Sequence, residues 1–168
     1  MSASAAPLRA RVFARLIHFY FRLARGLTMG VRGIVLDGAG GVLLVRHTYI
    51  AGWHLPGGGV ETGESCIEAL ARELAEEGNI SLAAPPRLHG LFFNTRATRR
   101  DHVAVYVVRQ FTQSGPRAPD REIAEARFFP LAALPDGTDP ATRARLAELA
   151  DGGAPDTHWF PRAPRARR

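Results

Sequence analysis

Three carboxylates at helical spacing are the feature of this 168-residue chain that could do chemistry: Glu73, Glu76 and Glu77, within Arg72-Glu73-Leu74-Ala75-Glu76-Glu77-Gly78-Asn79-Ile80. At about 100° per residue, positions i, i+3 and i+4 project from one side of an α-helix, while Ile67, Leu70 and Leu74 point elsewhere. Like charges so placed repel by roughly a few tenths of a kcal/mol per pair on an exposed helix. The chain has no Lys to offset them. A hard divalent cation would reverse the penalty. Oxygen donors without clustered Cys or His suit Mg2+ or Mn2+ rather than zinc, and Mg2+ commonly binds a few carboxylates together with substrate phosphate. Taken alone, the same cluster also fits a solvated acidic helix face.

The surroundings favour the chemical reading. Pro56-Gly57-Gly58-Gly59 comes shortly before the carboxylates, and a backbone without side chains at Gly58 can approach a metal-bound diphosphate. Arg72 supplies a fixed planar cation able to orient a neighbouring carboxylate, besides its ordinary i, i+4 pairing with Glu68. Arg46, at the end of an apolar run, is a candidate for neutralising a phosphate. Tyr49, Trp53 and Phe93 could stack on a base, although core packing is the favoured account of each. Arg96, Arg99, Arg100 and His102 form a basic cluster that suits a solvated turn or a phosphate contact.

The elements that must position these residues follow from periodicity. The carboxylates lie on a helix expected from about Glu64 to Glu77, with Ile67, Leu70, Ala71 and Leu74 on its core face. Asn79 is a natural left-handed terminator for it. Upstream, GIVLDGAGGVLLVRH reads as a hairpin reversing at Asp37-Gly38-Ala39-Gly40-Gly41. Downstream, residues 87–94 and 102–111 read as strands, the second apolar enough for an interior place. Residues 112–121 read as a polar loop, and a short strand at 126–129 follows. Asp139-Pro140 caps a helix running to about Ala150, which Gly152-Gly153 ends. The order of elements lacks a strict βαβ rhythm and predicts an α/β fold with a mixed sheet covered by helices.

Composition sets the outer bounds. A 46% apolar and 23% charged chain of this length suits one globular core. All 22 basic residues are Arg, which excludes a Schiff-base lysine and a P-loop lysine. The net charge of +6 is concentrated at the ends, in six Arg before Asp37 and in Arg162, Arg165, Arg167 and Arg168, so no specific nucleic-acid partner is expected. Cys66 is the only cysteine, which suits a reducing, cytoplasmic setting. Residues 8–27 carry a wide apolar stripe bordered by Arg. This basic amphipathic helix, taken as 1–28, would suit a membrane surface, self-association or packing on the domain. Residues 29–150 form the expected domain, and the Pro-rich basic segment 151–168 reads as a mobile tail.

From Gly58 to Ile80 the sequence resembles the Nudix box: Gly, five residues, Glu, seven residues, Arg-Glu, an aliphatic residue, any residue, Glu-Glu, any residue, Gly, an aliphatic residue. Every fixed position matches except the last glycine, where Asn79 stands. The likeness extends over about residues 30–150. It implies a Nudix α/β/α sandwich and hydrolysis of the diphosphate linkage in a small-molecule nucleoside diphosphate derivative, with Mg2+ or Mn2+. It implies further that Glu76 and Glu77 ligate the cation with the Gly57 carbonyl, Glu73 being a further ligand candidate, and that Glu64 supports the loop–helix geometry. The general base would be Glu73 or a glutamate of the later loop, Glu122, with Glu125 behind it. Neither the proline nor the tyrosine that marks some subfamilies stands at Thr95 to Thr98, so the substrate stays open. A nucleotide-binding sensor without turnover is the other reading.

Overall fold

The computed structural model describes residues 26–161 together with Ile17 and Tyr20. The helix expected at the N-terminus otherwise lies outside the described residues. Strand β1 (Thr28–Val35) pairs in parallel with β5 (Asp101–Val108), which pairs antiparallel with β4 (Arg87–Phe93). Thus β5 occupies the interior place that its unbroken apolar run predicts. Strand β2 (Gly41–His47) pairs antiparallel with β7 (Ile123–Pro130).

The expected hairpin is only a turn. Asp37 and Gly41 close it through their backbones, and the Asp37 carboxylate accepts from the amides of Ala39 and Gly41. Beyond Leu36 and Val42 the two strands part, because the 53–60 segment runs between them. Its residue His54 exchanges backbone hydrogen bonds with Val45 of β2, while Pro56 and Gly58 accept from Gly33 and Val31 of β1. Short strands β3 (Ile80–Leu82) and β6 (Phe111–Gln113) form a further antiparallel pair, so the polar segment expected as pure loop begins with strand.

Side-chain alternation along the central strands makes two cores. Val31, Val35, Leu43, Ala104 and Val108 face helix α1 (Cys66–Gly78), which buries Ala69, Leu70 and Leu74 against them. Ile34, Leu36, Val42, Leu44, Val103, Val105 and Val107 face the opposite side, where Ala141 and Leu146 of α2 (Pro140–Asp151) complete the other core. The result is an α/β/α sandwich around a mixed sheet. No helix among the described residues is long and apolar enough to cross a membrane.

The described part of the tail is packed rather than loose. Phe93 and Trp159 bond through their backbones, Thr157 accepts from Phe93, and Trp159 is buried at 8% exposure. Arg145 of α2, fully buried, donates to the carbonyls of His158 and Trp159 and pairs with Glu148 at 2.6 Å. A buried guanidinium needs such acceptors; Glu148 supplies one from the same helix, and the chain supplies the two carbonyls by folding back.

Candidate active site

Helix α1 starts at a reciprocal cap: Ser65 Oγ accepts from Glu68 N, and Glu68 Oε2 accepts from Ser65 N. It ends at Asn79 in the left-handed region, φ 54° and ψ 35°, as expected from the residue type. Between these points the apolar face anchors the helix on β1, which leaves the carboxylate edge facing the 56–59 loop.

Two glycines allow the loop to come this close. Gly57 has φ 137°, and a Cβ there would stand 2.1 Å from the Val31 carbonyl oxygen. A Cβ on Gly58 would stand 2.3 Å from Oε1 of Glu73. The Gly57 amide donates to Glu77 Oε2 at 2.7 Å, while its carbonyl accepts from the Arg32 guanidinium, which also reaches the Leu55 carbonyl at 3.2 Å.

Arg72 organises the helix side of the site. It pairs with both oxygens of Glu64, at 3.0 and 3.2 Å, with Glu73 at 2.7 Å and with Glu76 at 3.5 Å, and it donates to the Gly59 carbonyl at 3.1 Å. Glu64 thereby ties the loop to the helix, with its own Oε2 accepting from Glu61 N, and Arg72 holds its carboxyl below the usual range. Glu77 is the most secluded of the three acids. Burial pushes its pKa up to about 7, against the opposing pull of the Gly57 amide and the Arg32 charge. His47, 3.7 Å from Glu77, is lowered to about 4, first by burial and then by Arg32. Burial thus opposes the charge on both groups.

These groups line one cleft of about 340 Å³, bounded by Arg32, His47, Tyr49, Ile50, His54, Gly57, Gly58, Arg72, Glu73, Glu76, Glu77 and Glu122. The expected residues Arg72, Glu73, Glu76, Glu77, Gly57, Gly58 and Glu122 therefore come together. Arg46 does not. It pairs with Glu125 across the β2–β7 ladder at 3.0 Å and lies over Trp53, because alternation along β2 puts it on the face of Val42 and Leu44, while His47 follows Leu43 and Val45 on the face toward α1 and the cleft. Glu125 is held outside with it, between Arg46 and Arg127. Trp53 is core, edge-on to Phe129, and Phe93 stacks on His102. Sequence reasoning missed Arg32, His47 and His54. A lone cation inside the apolar run of β1 was the available signal for Arg32.

A second cavity of about 360 Å³ shares Arg32 and Gly58 with the first and is walled by Thr28, Asn94, Asp101 and Trp159 among others. Asn94 donates to Asp101 at 2.8 Å, while its Oδ1 is buried without a partner among the described residues.

The donor set fits a hard cation that keeps substrate and water in its shell. Among the described residues, no three His, Cys, Asp or Glu side chains close a metal site on their own. The carboxylates instead adjoin the Gly57 backbone, whose amide donates to Glu77, and open toward the cleft, as suits a hard divalent cation that takes few protein ligands.

A glycine loop held between the strands and running onto a carboxylate-bearing helix, on an α/β/α sandwich, defines a Nudix-type domain. The NUDIX domain profile matches residues 26–150, and the chain belongs to the Nudix family. It is 29% identical over 162 residues, 89% of this chain and 61% of the other, to a Mycobacterium tuberculosis protein named as a candidate mutator protein, MutT4. Over 61 residues, 36% of this chain and 41% of the other, it is 39% identical to a Bacillus subtilis protein named as a candidate 8-oxo-dGTP diphosphatase. The chain thus spans less than two thirds of either relative. In fold it is similar to a MutT NUDIX hydrolase from Burkholderia pseudomallei, with a TM-score of 0.63 at 24% identity, covering 73% of this chain and 97% of that one.

Proposed function

We propose that this chain is a Nudix pyrophosphohydrolase that uses Mg2+ or Mn2+ to split the diphosphate linkage of a nucleoside diphosphate derivative. The observation that carries this reading is the seating of Gly57 and Gly58 directly on the carboxylate edge, with the Gly57 amide on Glu77 and no room for a side chain between Gly58 and Glu73. A structural acidic face would not require that seating.

Glu76, Glu77 and the Gly57 carbonyl, with Glu73 beside them, would hold the cation. When bound it supplies neutralisation of diphosphate charge and acidification of water. Arg72 fixes Glu73 and leaves it poorly placed to accept a proton, since the guanidinium already occupies Oε1. Glu122 lines the same cleft, and its carboxylate has no hydrogen-bond or ion-pair partner among the described residues. A general base must be free to accept a proton, so Glu122 is the base in this reading and Glu73 a ligand. The adjoining cavity, with the open acceptor of Asn94, gives room for the nucleoside.

The test is a substrate panel of nucleoside triphosphates, including 8-oxo-dGTP, and nucleoside diphosphates linked to sugars, assayed with Mg2+, with Mn2+ and with chelator. Metal-dependent release of nucleoside monophosphate is expected. Binding of these compounds with no turnover under either metal would overturn the proposal in favour of a sensor.

A further inference from the structure

At position 79 the box pattern carries glycine, and this chain carries asparagine. The backbone task there needs no side chain: the Asn79 amide closes the helix on the carbonyls of Leu74 and Ala75, and glycine reaches the same conformation freely. The side chain of Asn79 does something else. Its Nδ2 donates to the carbonyls of Gly115 and Pro116, at 3.4 and 3.2 Å.

The same stretch of chain meets the end of α1 at three other points. The last carbonyls of a helix lack intrahelical donors. Here Gln113 Nε2 donates to Gly78 O at 2.9 Å, Ser114 N to Asn79 O at 3.2 Å and Arg117 Nε to Glu76 O at 2.6 Å. Arg117 also holds the Ala118 carbonyl and the Asp120 carboxylate. Asp120 Oδ1 in turn accepts from the amides of Glu122 and Ile123, both at 2.8 Å. On the far side, Thr48 N donates to the Glu122 carbonyl at 2.9 Å and Thr48 Oγ1 to the Arg121 carbonyl at 2.6 Å. A continuous run of hydrogen bonds therefore leads from the end of the carboxylate helix to the backbone of Glu122.

We propose that Asn79 is a positioning residue, whose side-chain amide clamps the 115–121 loop onto the end of α1 and so sets where Glu122 stands relative to Glu76 and Glu77. A glycine at 79 would leave the Gly115 and Pro116 carbonyls to water and the loop held by Gln113, Arg117 and the backbone bond from Ser114. The part concerning turnover rests on Glu122 being the base. The clamp itself does not.

The test combines Asn79→Gly, Glu122→Gln and the double variant with hydrogen exchange of the full chain. Asn79→Gly is expected to lower kcat about tenfold, the loss matching about two modest hydrogen bonds, with KM little changed. Its melting temperature should stay within roughly a few degrees of the parent, since glycine suits this backbone. The double variant should be no slower than Glu122→Gln alone, because a residue acting through Glu122 has nothing left to position. Amides of residues 115–122 should exchange faster in Asn79→Gly while those within α1 are unchanged. Losses that multiply in the double variant would overturn the positioning role, and unchanged exchange at 115–122 would overturn the clamp. Full turnover of Glu122→Gln would remove Glu122 as the base, and the exchange result would still decide for or against the clamp.

Discussion

Gly57 and Gly58 are adjacent, yet replacing each with alanine should do different damage. At Gly57 the new Cβ would stand 2.1 Å from the Val31 carbonyl oxygen and 3.0 Å from the Arg32 Cα, with φ at 137°. These neighbours are backbone and cannot swing away. The conformation costs about 1–3 kcal/mol for a residue with a side chain. Relief would pull the segment off β1 and weaken the bonds Val31 N to Gly58 O, Gly33 N to Pro56 O and Val60 N to Met29 O, each worth about 1 kcal/mol. A destabilisation of about 3–5 kcal/mol follows, which for a chain of this size lowers the melting temperature by roughly 10 °C. At Gly58 the Cβ would meet the Glu73 carboxylate, 2.3 Å from Oε1 and 2.5 Å from Cδ, and that group can rotate away. The loss is the Arg72–Glu73 contact, between side chains 30% and 13% exposed, and about 1 kcal/mol is expected for it. Activity would fall at least tenfold, because a carboxylate beside the cation leaves its place. Thermal melts with turnover measured well below both midpoints separate the two effects. Equal melting losses, or full activity of folded Gly58→Ala, would refute the reasoning.

The buried pair in the cleft predicts a pH response. Glu77, raised from 4.5 to about 7, keeps in the folded state a proton that the unfolded chain has lost, so stability falls as pH rises through that interval. His47, lowered from 6.5 to about 4, lacks in the folded state a proton that the unfolded chain holds, so its contribution rises with pH from 4 to 6.5. The two oppose, and urea midpoints in chelator should change little from pH 4.5 to 6.5. Glu77→Gln should reveal stability climbing with pH there, and a level profile in that variant would contradict the assignment. Glu76→Gln should lose at least tenfold in metal-dependent turnover with its melt unchanged, since that side chain is 60% exposed; normal rates at saturating Mg2+ would exclude it as a ligand. Trp159→Ala should cost about 3–5 kcal/mol, because a buried aromatic is removed from the core; denaturant midpoints near the parent value would show that the tail is not part of the fold.

What could be read from the sequence is what is decided locally. The carboxylate edge, the Asp139 cap on α2 and the left-handed Asn79 each depend on residues a few positions apart, and each stands where its spacing predicts. Features decided by distant pairing were not legible. The turn at Asp37–Gly41 has hairpin composition, but nothing in it says that the 53–60 segment will separate the strands. Both faces of β2 are apolar, so nothing in its own residues says that the face of Leu43, Val45 and His47, and not that of Arg46, meets the carboxylate helix. Pro-rich composition after Gly153 suggests mobility, and the buried Arg145 that holds the segment is a partner only in three dimensions. The 115–121 loop belongs to the same class: its polarity is compatible with any surface turn, and its place in the site comes from the end of α1. Yet Asn79 itself is a local hint. Where a bare backbone would serve the helix, the chain spends a side chain with a donor amide, and a donor at a helix end full of free carbonyls implies an acceptor brought in from elsewhere. A departure from a motif is therefore worth reading for the contacts its extra atoms can make, as well as for the function they leave intact.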